Sequence, residues 1–147
     1  QTSQLKISMA AFFHDILITE FDEGIEELES KTSYDRENLK ESNPNFFNHP
    51  LKAAELFDKM KNMLADVAQI ISSHHELPNG KGFPKGLFGA RTAPLSCLFN
   101  TAHYFCIHCN LRGWTKLSIA KTLKEMEESF YDRNYEKPYE ALLKLFK

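Results

Sequence analysis

The chain has 147 residues, and at that length folding buries about two-thirds of the extended surface, so one compact domain with its own core is expected. Its 42% hydrophobic and 26% charged residues match globular averages and exclude disordered, collagen-like and membrane-spanning classes, with no apolar run near the eighteen or so residues of a membrane helix. Eighteen Lys and Arg against twenty Asp and Glu give a net charge of −2 without a block of like charges, which argues against duplex nucleic acid but leaves room for a small phosphorylated ligand.

The opening residues QTSQLKISMAAFF carry no initiator Met and pass straight into an amphipathic pattern. Residues 1–147 are therefore expected to be a single domain from the C-terminal part of a longer chain. Apolar residues from Leu5 to Leu17 recur at steps of three and four, the helical period, and predict a first helix over about residues 3–18. The acidic stretch from Glu20 to Glu29 is helix-compatible and reads as a solvated face. The polar segment KTSYDRENLKESNPN reads as a surface loop or short helix. From Pro50, LKAAELFDKMKNML and ADVAQIISSHHE predict two helices with a break near residues 61–64, the second turning Val67, Ile70, Ile71 and His74 to one side.

The segment LPNGKGFPKGLFGARTAP holds four of the six glycines and three of the six prolines, so it is a loop and not a regular element. Pro94 suits the first turn of a further helix, with Leu95, Leu98, Phe99, Ala102, Cys106 and Cys109 as its apolar stripe. Two more helices are predicted near residues 115–130 and 137–146. With no strand pattern and no internal repeat, the fold class is all-α. Cys97, Cys106 and Cys109 are too few and too clustered to staple a secreted domain, which points to the cytoplasm. CIHC has the spacing of a zinc or redox pair, but it lacks a second pair and lies on the helical stripe, which favours buried cysteines.

The placement of the histidines carries the chemistry. His14 is followed by Asp15, His49 by Pro50, His74 by His75, and His103 lies inside an apolar stripe; His108 is set aside. Adjacent residues on a helix point about 100° apart, so a neighbouring pair can address two metals side by side. Imidazole with carboxylate suits Fe, Mn or Zn, and two such ions can clamp a phosphoryl group and activate water. A single histidine on an apolar face is more often a hydrogen-bonded core residue than a ligand.

AAFFHDI, HPLKAAELF, HHELPNGKGFPKGL and LSCLFNTAHYF, in that order, resemble the HD-GYP branch of the HD-domain metal-dependent phosphohydrolases over nearly the whole chain. The resemblance implies a helical bundle around a two- or three-metal site, with Fe or Mn as the divalent ions, that hydrolyses cyclic di-GMP or another phosphodiester through metal-activated water. His14 and Asp15 match the defining pair, with Asp15 as the metal bridge. His49 matches the His-Pro step and His74 and His75 the double histidine, while Gly82, Phe83 and Pro84 stand where the family writes Gly-Tyr-Pro.

The departures from the pattern matter. Ile18 stands where the family has a phosphate-contacting lysine. His103 stands where it has an aspartate ligand, so the site holds one negative charge fewer. Asn79 replaces a common acidic residue, and Phe83 lacks the tyrosine hydroxyl. A further ligand and a covering helix that many members draw from before the pair have only thirteen residues here to come from. An enzyme would take its phosphate cation from Lys81, Lys85 or Arg91 in the glycine loop, or from upstream. The alternative is an inactive module that binds a nucleotide or protein, with the glycine loop as a contact for a diguanylate cyclase domain.

Overall fold

The computed structural model describes residues 2–18, 25–60 and 65–146. The described residues form eight helices: α1 Ser3–Phe13, α2 Ile25–Glu29, α3 Arg36–Ser42, α4 Pro44–Asp58, α5 Ala65–Ser72, α6 Pro94–Arg112, α7 Lys116–Phe130 and α8 Glu136–Leu145. The fold is all-α; an isolated bridge between Asn79 and Phe88 inside the glycine loop is the sole β pairing among the described residues. Among those residues no helix is long and apolar enough to cross a membrane.

Several boundaries differ from the pattern-based expectation, each for a local reason. α1 ends at Phe13 instead of continuing to residue 18, and residues 14–17 form a turn closed by three-residue bonds from Ile16 to Phe13 and from Ile18 to Asp15. α4 begins at Pro44, six residues before the expected start. Asn43 caps it by accepting the Phe46 amide at 3.2 Å, so Pro50 lies inside the helix. The polar segment before it contains a true helix, α3, capped by the Asp35 carboxylate. Such Asx caps satisfy amides that the first helical turn leaves unpaired. The expected break at residues 61–64 lies outside the described residues.

α6 is the central helix. One apolar cluster, including Ala10, Ala53, Phe57, Ile71 and Phe99, lies where α1, α4 and α5 meet it. A second, including Phe105, Cys109, Met126 and Tyr139, fills the space between α6, α7 and α8. Because neighbours cover α6 on several sides, the expected stripe is only partly buried: Leu98, Ala102 and Cys106, four residues apart, form an exposed ridge. Cys109 is buried while Cys106 is exposed, and all three cysteines are free thiols.

A third cluster is aromatic. Phe46, Phe47 and the fully buried Phe83 pack together with Leu39, which ties the glycine loop to α3 and α4. Arg36, at the start of α3, donates to the Gly80 carbonyl at 3.1 Å. Glu76, 1% exposed, accepts the amides of Lys85 and Leu87, each at 2.7 Å. Gly82 passes so close to residues 75–77 that a Cβ would lie 2.4 Å from the His75 carbonyl oxygen. The loop is thus an ordered wall behind His75.

Candidate metal centre

Three of the histidines are oriented by the same device. His14 Nδ1 lies 3.0 Å from the Ala11 carbonyl, His49 Nδ1 2.6 Å from that of Phe46, and His74 Nδ1 2.7 Å from that of Ile71. In each case the partner is three residues back, and each carbonyl is available for a reason. Ala11 and Ile71 sit in the last turns of α1 and α5, where carbonyls lose their i+4 donors; that of Ile71 also takes a long 3.5 Å bond from the His74 amide. Phe46 is freed because Pro50 has no amide to offer it. A carbonyl can only accept, so each Nδ1 carries the proton and each neutral ring presents a lone pair at Nε2.

Those three nitrogens converge on one carboxylate. His14 Nε2 is 3.0 Å from Asp15 Oδ2, while His49 Nε2 and His74 Nε2 are each 3.3 Å from Asp15 Oδ1 and 3.0 Å from one another. Asp15 Oδ1 is buried without a hydrogen-bond partner, and so is His75 Nε2. Lone pairs facing each other at such distances repel unless a cation lies among them. Burial pushes the His74 ring down to about 4 and that of His75 well below the ordinary range, which near neutral pH disfavours a proton as that cation on the side of these two rings.

The ligand atoms fall into two sets, each within 4.8 Å, that share Asp15: Asp15, His49, His74 and His75 on the inner side, and His14, Asp15 and His103 on the outer. Asp15 turns Oδ1 toward His49 and His74 and Oδ2 toward His14, so it belongs to both sets. Burial opposes ionisation of Asp15, but the His14, His49 and His74 rings outweigh it and hold the carboxyl far below the carboxylate range. At His14, burial works against the proton, yet the Asp15 carboxylate prevails and raises the ring's pKa. His103 is depressed, chiefly by burial and then by the neighbouring rings. The chemistry and disposition of this donor set fit divalent ions that accept nitrogen and oxygen ligands.

Packing holds the remaining rings. His75 stacks on Phe83, with centroids 4.5 Å apart and planes at 14°, and His103 stacks on Phe99 at 5.6 Å and 20°. Phe83 is a core residue that backs a candidate ligand. His108 lies elsewhere on α6, packed against Tyr104 at 4.1 Å.

The structure thus brings His14, Asp15, His49, His74, His75 and His103 together, whereas Lys81, Lys85 and Arg91 are exposed loop residues. A cavity of about 20 Å³ beside His74, His75 and His103 is lined by Lys31 and Glu29 and by none of those three cations. Lys85 lines a separate groove with Glu55, Asp58 and Asp66. Ile18 packs against the aromatic cluster. Glu29 is half-buried, so the acidic stretch is not simply a solvated face. Its i+4 neighbours gave no hint of this, because α2 is placed against α6 only by the tertiary fold.

Asn100 was also invisible to pattern reading. Its amide donates to the Ser73 and Glu76 carbonyls at 2.8 and 3.0 Å, closing the end of α5 just where the double histidine follows.

The family described as HD domain matches residues 2–135. No match was found among curated proteins or among solved structures.

Proposed function

The chain belongs to the HD-domain family, whose members are generally metal-dependent hydrolases, and we propose that it is a phosphodiesterase of the HD-GYP type acting on cyclic di-GMP or a related phosphodiester. The convergence of the His14, His49 and His74 lone pairs on the two oxygens of Asp15 carries this proposal. Two divalent ions, Fe or Mn, would be held by the inner and outer sets with Asp15 between them. When bound, such ions supply Lewis-acid polarisation of a phosphoryl group and lower the pKa of water toward neutrality.

The protein's own residues have three tasks. The main-chain carbonyls of Ala11, Phe46 and Ile71 hold the Nδ1 protons, which fixes the tautomer and leaves the Nε2 atoms free to ligate. Phe83 and Phe99 fix the planes of His75 and His103 and keep water from their apolar faces. Lys31, exposed and also lining that cavity, would lend its charge to an anionic substrate approaching from the α2 side.

A second proposal, an inactive module that binds a nucleotide or a diguanylate cyclase domain through the glycine loop, draws support from Ile18, whose apolar packing leaves no cation at that position. The two separate in one assay. Protein loaded anaerobically with Fe(II) or Mn(II) is expected to open cyclic di-GMP to the linear dinucleotide, and Asp15→Asn to abolish this. Full metal loading without turnover would favour the inactive module.

A further inference from the structure

The two ligand sets contain six side chains and a single carboxylate, Asp15. Two divalent ions bring four positive charges, and in a partly buried site that charge is costly unless anions are near. Glu29, the last residue of α2, is the carboxylate to examine. It is half-buried, and it lines the cavity of about 20 Å³ together with His74, His75, His103 and Asn100. That volume holds one water or one ion and nothing larger.

Two further observations mark the cavity as a place for a ligand. His75 Nε2 and Asn100 Oδ1, on residues that line it, are buried and have no hydrogen-bond partner. The orientation of Asn100 is not arbitrary: its Nδ2 is committed to the Ser73 and Glu76 carbonyls, so its oxygen is the atom left over. Across that cavity Glu29 faces His103, a ring that belongs to the outer set alone.

We propose that Glu29 is the second carboxylate of the centre, completing the cation position formed by His14, Asp15 and His103. The inference rests on the two-ion proposal above. The Glu29 oxygens are not among the atoms already clustered within 4.8 Å, so this role requires its side chain to turn toward the ion when one binds. It would offset the charge lost where His103 stands in place of an aspartate.

The test is Mn(II) titration of chelator-treated full chain, read by bound metal per chain and by electron paramagnetic resonance, with circular dichroism to verify folding. Wild type is expected to bind two equivalents and show the signal of a spin-coupled pair. Glu29→Gln should keep the first equivalent, weaken the second at least about tenfold, and show an uncoupled single-ion signal. Glu27→Gln, an exposed carboxylate on the same helix, should behave as wild type. Two equivalents with unchanged affinity and coupling in a folded Glu29→Gln would overturn the role of Glu29 alone. Wild type that binds fewer than two equivalents would overturn the two-ion proposal itself.

Discussion

On the inner side of Asp15, His49 and His74 are each 2% exposed and His75 5%, with two rings hydrogen-bonded to main chain and the third stacked on a fully buried Phe83. On the outer side, His14 ends a helix with its Nδ1 held by the Ala11 carbonyl, and His103 is half-buried, held by stacking on Phe99 and by no ring hydrogen bond among those described. The same residue type thus serves two different ends. Preorganised rings lose little freedom on binding, whereas looser ones must be ordered by the ion, so the inner position should be the tighter.

Removing what the two sides share should have the largest effect. Asp15→Asn keeps the shape but replaces the bridging carboxylate, and it is expected to leave no metal bound at either position after dialysis, read by elemental analysis. If one ion remained at full occupancy, the carboxylate would not be common to both.

Phe83→Ala attacks the inner side through its support. Deleting a buried phenylalanine costs about 3–5 kcal/mol, which lowers the melting temperature by roughly 10 °C in a domain of this size. Inner metal affinity should fall with it, because the His75 ring loses its stacking partner. Thermal melts with and without Mn(II) check both effects, and an unchanged melting temperature would contradict the fully buried position.

Acidification should separate the sides without mutation. The His14 ring has a raised pKa in the metal-free protein, so it gains its proton first as pH falls, and the ion must displace that proton. The His74 ring, lowered to about 4, stays neutral much further down. Between pH 8 and pH 6 the outer ion should therefore be lost before the inner one. Loss of both in a single step would show that the two positions titrate as one.

The smallest change expected is a gain. His103→Asp places an anion on the outer side and should tighten the second equivalent several-fold while leaving the first unchanged, as measured by competition with a chelating dye.

Much of this molecule was legible in short stretches of sequence. The three-and-four periodicity of α1, the Pro at the start of α6, and the segments near 116–130 and 136–145 follow local rules of helix formation. Errors arose where local rules were overridden. Pro50 reads as a helix start, yet it is tolerated mid-helix because the carbonyl it leaves unpaired is used by His49. Leu98, Ala102 and Cys106 read as core, yet all three are exposed on one side of α6.

The sequence by itself determined the helical class and the identity of the histidines and aspartate, because periodicity and side-chain chemistry are properties of near neighbours. Only the tertiary structure decided that His49 and His74 would converge on Asp15, and that Phe83 would back His75. It alone brought Glu29 of the acidic stretch and Lys31 of the polar segment to the cavity beside His103. Those outcomes depend on where helices distant in sequence meet, and hydrophobic burial, which drives that meeting, is non-directional and leaves no local spacing to read.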